Sequence, residues 1–75
     1  MIKTVADYKE FLDSLREDLG KAWEDSPEKE RNERALKIAA ELNVSQTTVS
    51  NYFRGLISSP ETALTILEKF KELYP

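Results

Sequence analysis

Seventy-five residues carrying a formal charge of −3 make one small domain with a modest core. The chain has no cysteine and no histidine. It therefore lacks disulfides, thiolate metal sites, the commonest general base and the commonest metal ligand. No apolar run approaches the ~18 residues of a membrane span, and Met1 begins no signal-peptide pattern. The chain reads as soluble and intracellular in type, with no cofactor.

The first element is predicted from Thr4, a good N-cap, with Asp7 three residues later as a short-armed capping box. Val5, Tyr8, Phe11, Leu12, Leu15, Leu19, Ala22 and Trp23 then follow three-and-four spacing, which predicts an amphipathic helix of about five turns. Lys9, Glu10, Asp13, Arg16, Glu17 and Asp18 form its solvated side. The apolar face continues past Gly20, so the helix is expected to run to about Glu24, with Trp23 anchoring the core.

Ser26-Pro27-Glu28 reads as a second helix start, with a cap, a fixed φ and an acid at the positive dipole end. Residues 28–34 contain no apolar residue, so these turns are expected to project into solvent. Arg31, Arg34 and Lys37, three apart, share one flank. They are candidate phosphate contacts, or else members of solvated pairs such as Glu30–Arg34 and Glu33–Lys37.

Residues 35–55, ALKIAAELNVSQTTVSNYFRG, hold the most informative pattern. Ala35, Leu36, Ile38, Ala39 and Leu42 form an apolar helical face. Asn43 tolerates the left-handed conformation of a helix terminator. Val44 should fill the gap between two helices, and Ser45 can cap the next one. That helix should bury Val49, Tyr52 and Phe53 and stop at Gly55. Its outer side carries Gln46, Thr47, Ser50 and Asn51, uncharged hydrogen-bonding groups. A helix face chosen only for solubility would favour Glu and Lys, which have better propensity. Gln and Asn can pair with adenine N6 and N7 in the major groove, and Thr can meet a thymine methyl.

This stretch resembles the helix-turn-helix of lambda-repressor-like DNA-binding domains. The run Val44-Ser45-Gln46-Thr47-Thr48-Val49-Ser50 is also similar to the motif of the lactose-repressor family. Ala39 falls where those families need a small residue, and Val44, Val49 and Gly55 fall on the turn, core and terminator positions. The resemblance implies an all-α, compact four- to five-helix bundle with double-stranded DNA as its partner. The helix from about residue 45 to 54 would lie in the major groove, as in transcriptional regulators. Gln46, Thr47, Ser50 and Asn51 would contact bases. Arg31, Arg34, Lys37, Ser45, Thr48, Arg54 and Ser58 would contact phosphates. The family often places a phosphate-binding Gln where this chain has Ala35, which cannot serve, so the upstream arginines are expected to substitute. A natural member would be cytoplasmic and nucleoid-associated.

After Gly55, Leu56 and Ile57 are expected to close the bottom of the core. Ser59-Pro60-Glu61 repeats the helix start for a last helix. Its face is Ala63, Leu64, Ile66, Leu67, Phe70, Leu73 and Tyr74. Most of this face should pack on the first helix; Phe70, Leu73 and Tyr74 are alternatively a dimer contact, and monomer and homodimer both remain open. Four helices are counted where the family usually has five. The repeated Ser-Pro-Glu starts, long apolar faces and missing Cys and His give the chain the regularity of a designed sequence.

Charge sharpens two function classes and weakens a third. Residues 1–25 hold four Lys/Arg and seven Asp/Glu, residues 26–55 five and four, and residues 56–75 two and three. Only the motif segment is non-negative, whereas nucleic-acid-binding domains are usually basic. The acidic balance suits the alternative of a protein-interaction module, which would expose an apolar patch such as Leu56, Ile57, Phe70 and Tyr74. An enzyme is disfavoured, because chemistry would rest on Asp, Glu, Lys or Tyr in a bundle too small for a deep pocket.

Overall fold

Four helices form in the order α1 (Val5–Asp25), α2 (Glu28–Leu42), α3 (Gln46–Phe53) and α4 (Pro60–Leu73) in a computed structural model that describes residues 5–75. The expected cap at Thr4 lies outside the described residues. At ~1.5 Å per residue α1 is about 32 Å long, and it accounts for much of the 39 Å long dimension of the molecule. It runs unbroken through Gly20. All four helices meet in one core of Leu15, Leu19, Ala22, Ala35, Ile38, Ala39, Val49, Tyr52, Phe53, Ala63, Ile66 and Leu67.

The apolar face of α1 is only partly used. Leu15, Leu19 and Ala22 are buried and Phe11 packs against the core. Val5 and Tyr8 are exposed, because the first two turns of α1 extend past the ends of the shorter helices. Trp23 does anchor the core, stacked on Phe53 with ring centroids 5.2 Å apart. Phe53 in turn meets Phe70 edge-on at 5.7 Å, and Phe70 meets Tyr74 at 5.5 Å. This chain of rings ties α1, α3 and α4 together and leaves Phe70 and Tyr74 half-buried.

The two Ser-Pro-Glu segments fold differently. Ser59 caps α4 as expected, accepting from the Thr62 backbone N–H and hydroxyl, with Pro60 in the first turn. Ser26 does not cap α2. Its buried hydroxyl donates back to the Ala22 carbonyl at 2.9 Å, finishing α1, and Pro27 takes the cap position without a side-chain bond. The reason is the link length: α1 ends at Asp25, so Ser26 is still within reach of its last free carbonyls.

Three other expected core residues are exposed. Leu36 is 55% accessible, Leu56 65% and Leu64 40%. A helix in a small bundle buries a narrow stripe, and Ala35, Ile38 and Ala39 already fill that of α2. Leu56 falls on the outward side of the loop, while Ile57 packs inward. Val44 also lies on the surface at 38%, beside Leu42, Glu61, Thr62 and Thr65 in an open groove.

Ile38 and Leu36 give a direct test of this packing. Ile38→Ala should lower the urea midpoint by an amount equivalent to ~2–5 kcal/mol. Leu36→Ser should move it by no more than ~0.5 kcal/mol. Equal losses from both would place Leu36 in the core and contradict the fold.

Candidate nucleic-acid interface

α2 ends where the sequence expects. Asn43 takes up left-handed geometry, φ 57° and ψ 45°, and its N–H and that of Val44 close onto Ala40 and Ala39 carbonyls. Ser45 then starts α3 with its hydroxyl accepting from the Thr48 N–H at 3.1 Å and bonding the Thr48 hydroxyl at 2.7 Å. The helix stops at Phe53, and Gly55 follows with φ +96°. Both residues with positive φ among those described thus bracket α3.

Val49, Tyr52 and Phe53 are buried, which fixes how α3 is rotated. The opposite side is a shallow depression lined by Gln46, Thr47, Ser50, Asn51 and Arg54 of α3 and its end, and by Asn32 of α2. Thr47 and Arg54 are exposed and Gln46, Ser50 and Asn51 half-buried. The structure therefore brings together all four expected base contacts and one of the expected phosphate contacts. The lining contains five neutral polar side chains and one cation, and no acid.

Asn32 was not singled out in the sequence. It sits in a run of charged residues with no apolar periodicity, so only the packing of α2 on α3 brings it to this face. Its main-chain carbonyl accepts from Gln46 Nε2 at 3.0 Å. Ala35, by contrast, is fully buried against the bundle, so that position offers no surface at all.

Arg31 and Arg34 make contacts within the protein, among them the expected Glu30–Arg34 pair. Arg31 donates to the Ser26 and Glu24 carbonyls at 3.1 and 3.2 Å, with its guanidinium 6.0 Å from the Trp23 ring centre. It satisfies carbonyls left free at the end of α1. Arg34 donates to the Ser26 hydroxyl at 3.1 Å, approaches Glu30 at 3.8 Å and lies 4.3 Å from the Tyr74 ring centre. Neither lines the α3 depression. Lys37 is exposed on α2. Ser45 and Thr48 satisfy each other at the start of α3. The Ser58 hydroxyl bonds the Tyr52 phenol at 3.0 Å, and that phenol also accepts from the Ser59 N–H.

Arg16 is a further residue that sequence reasoning assigned to a solvated face. Its Nε donates to the Gly55 carbonyl at 3.2 Å, and Asp13 holds its Nη1 at 3.2 Å. The stem of Arg16 also covers Gly55. α1 therefore grips the loop that follows α3. No spacing rule could reveal this contact, which spans 39 residues.

Among the described residues, no helix is long and apolar enough to cross a membrane, and no group of three acidic, His or Cys side chains is placed to hold a metal ion. The chain matches no protein-family model, and no curated protein or solved structure matches it significantly.

The cap of α3 is separable from its face. Ser45→Ala should cost about 1 kcal/mol of stability. It should also speed amide exchange at Thr48 more than at Val49 or Phe53. Unchanged exchange at Thr48 would show that the cap does not hold the first turn.

Proposed function

We propose that this protein binds double-stranded DNA sequence-specifically, with α3 in the major groove, in the manner of lambda-repressor-like domains. The observation that carries the reading is the composition of the α3 face. Gln46, Thr47, Ser50 and Asn51 are gathered on one side of a rigidly bracketed helix, with Arg54 at its end. Thr, Ser and Asn are poor choices for helix propensity, and with Gln they are groups that can read base edges. The motif's resemblance to repressor families points the same way.

In this reading Gln46 and Asn51 hydrogen-bond base edges, and Thr47 and Ser50 add a methyl contact or further hydrogen bonds. Arg54 holds a phosphate, and Lys37 is an exposed cation on α2 for a second. Ser45 and Thr48 can offer only what their mutual bond leaves over. Arg31 and Arg34 make their hydrogen bonds within the bundle. With so few phosphate partners, the salt-dependent, sequence-independent part of the affinity is small. The net charge of −3 weakens it further and disfavours approach by the acidic α1 side.

A second reading has its own observation. Val5, Leu56 and Leu36 are 86%, 65% and 55% exposed, apolar surface that a protein partner could cover. It predicts no salt-sensitive DNA affinity.

Selection from a randomised duplex library at moderate salt separates the two. Enrichment of a short motif supports groove readout, and two half-sites about one helical turn apart would add a dimer. Gln46→Ala should relax preference at one base position, at a cost of ~1–3 kcal/mol. Arg54→Ala should weaken all sequences alike and lower the salt slope by ~0.9. No enrichment, with no binding at low salt, would falsify the DNA reading.

A further inference from the structure

The exit of α3 is a helix end with a missing part. The Gly55 N–H donates to the Tyr52 carbonyl and the Leu56 N–H to the Asn51 carbonyl, both at 3.0 Å. With Gly55 at φ +96°, this is the Schellman arrangement. An apolar contact commonly completes it, between the residue after the glycine and one in the last turn of the helix. Here that pair would be Leu56 with Asn51 or Ser50. Leu56 is 65% exposed, and Asn51 and Ser50 are polar members of the outward face. The residues that give α3 its polar surface are thus the ones that take away its apolar clasp.

Arg16 stands in that place from another helix. Its Nε donates to the Gly55 carbonyl at 3.2 Å, and its Cδ and Cγ lie 3.8 and 3.9 Å from where a Gly55 Cβ would stand. Asp13, one turn back on α1, holds Nη1 at 3.2 Å and keeps the guanidinium turned toward the loop. The Arg16–Asp13 pair is exposed, and exposed pairs add little stability, so its use is geometric.

We infer that Arg16 is a positioning residue: it clasps the α3 exit from α1 and so sets where Asn51 and Arg54 stand. Arg54 precedes Gly55 in the chain, and the Asn51 carbonyl accepts from both the Arg54 and Leu56 N–H groups. Movement of the glycine is passed to both residues. Gln46 lies at the other end of α3, where the Ser45 cap holds the helix start. The clasp belongs to the free protein; its consequence for base preference rests on the major-groove reading above.

Amide exchange in the free protein is the first test. Arg16→Met keeps a long stem and loses the donors. Exchange at Gly55 and Leu56 should rise roughly two- to tenfold, the range of one net hydrogen bond. Exchange at Val49, near the start of α3, and the urea midpoint should stay close to those of the intact chain. In an Asn51→Leu background the same change should raise exchange less, because a leucine there can meet Leu56. Equal rises in both backgrounds, a rise at Val49 as large as that at Leu56, or no rise at all overturns the clasp.

Library selection is the second test. Arg16→Met should relax the base positions that Asn51→Ala relaxes and keep those that Gln46→Ala relaxes. Uniform weakening at every position, or an unchanged site, overturns the positioning role and leaves groove reading standing. No enriched motif for the intact chain overturns the groove reading and the positioning role with it, while the exchange result still decides the clasp.

Discussion

An eight-residue helix has little stability of its own in water, so whatever α3 does depends on the three side chains that hold it to the bundle. Val49, Tyr52 and Phe53 are all nearly inaccessible. They face Ala35, Ile38 and Ala39 of α2 and, through Phe53, the rings of Trp23 and Phe70. Small side chains on α2 let the two helices come close. Large ones on α3 fill the space behind. Because burial fixes the rotation of α3, it also fixes which residues face outward. The polar surface of Gln46, Thr47, Ser50, Asn51 and Arg54 is a consequence of that packing.

The ends of α3 are held as firmly as its face. Asn43 and Ser45 set the entry, and Gly55 sets the exit. Arg16 then reaches across from α1 to the Gly55 carbonyl. The Tyr52 phenol ties the loop after α3 to the start of α4 through Ser58 and Ser59. In the proposed function this support matters, since hydrogen-bond recognition fails when its groups are misplaced by an ångström or so.

Three of the four arginines are turned to internal work. Arg31 closes the carbonyls at the end of α1, Arg34 lies on Tyr74, and Arg16 holds the α3 exit. These guanidiniums act as hydrogen-bond forks and flat covers for aromatic rings. What remains near the α3 face is sparse charge and dense neutral polarity. In the proposed function this shifts recognition away from phosphate attraction and toward base edges.

The sequence by itself determined the number of helices, the ends of α2 and α3, and the four outward residues of α3. Those features rest on local rules. Helical spacing sets the faces, Asn and Gly permit positive φ, and Ser caps a helix start. Tertiary structure alone decided how much of each apolar face was used. Leu36, Leu56 and Leu64 fit the spacing yet lie outside, because a bundle of four helices buries only narrow stripes. It decided that Ser26 ends α1 while Ser59, in the same tripeptide, begins α4. It also tied Arg16, Arg31 and Arg34 to groups on neighbouring segments, and brought Asn32 to Gln46. These outcomes depend on which groups meet across the fold, and a rule about neighbours along the chain carries no information on that.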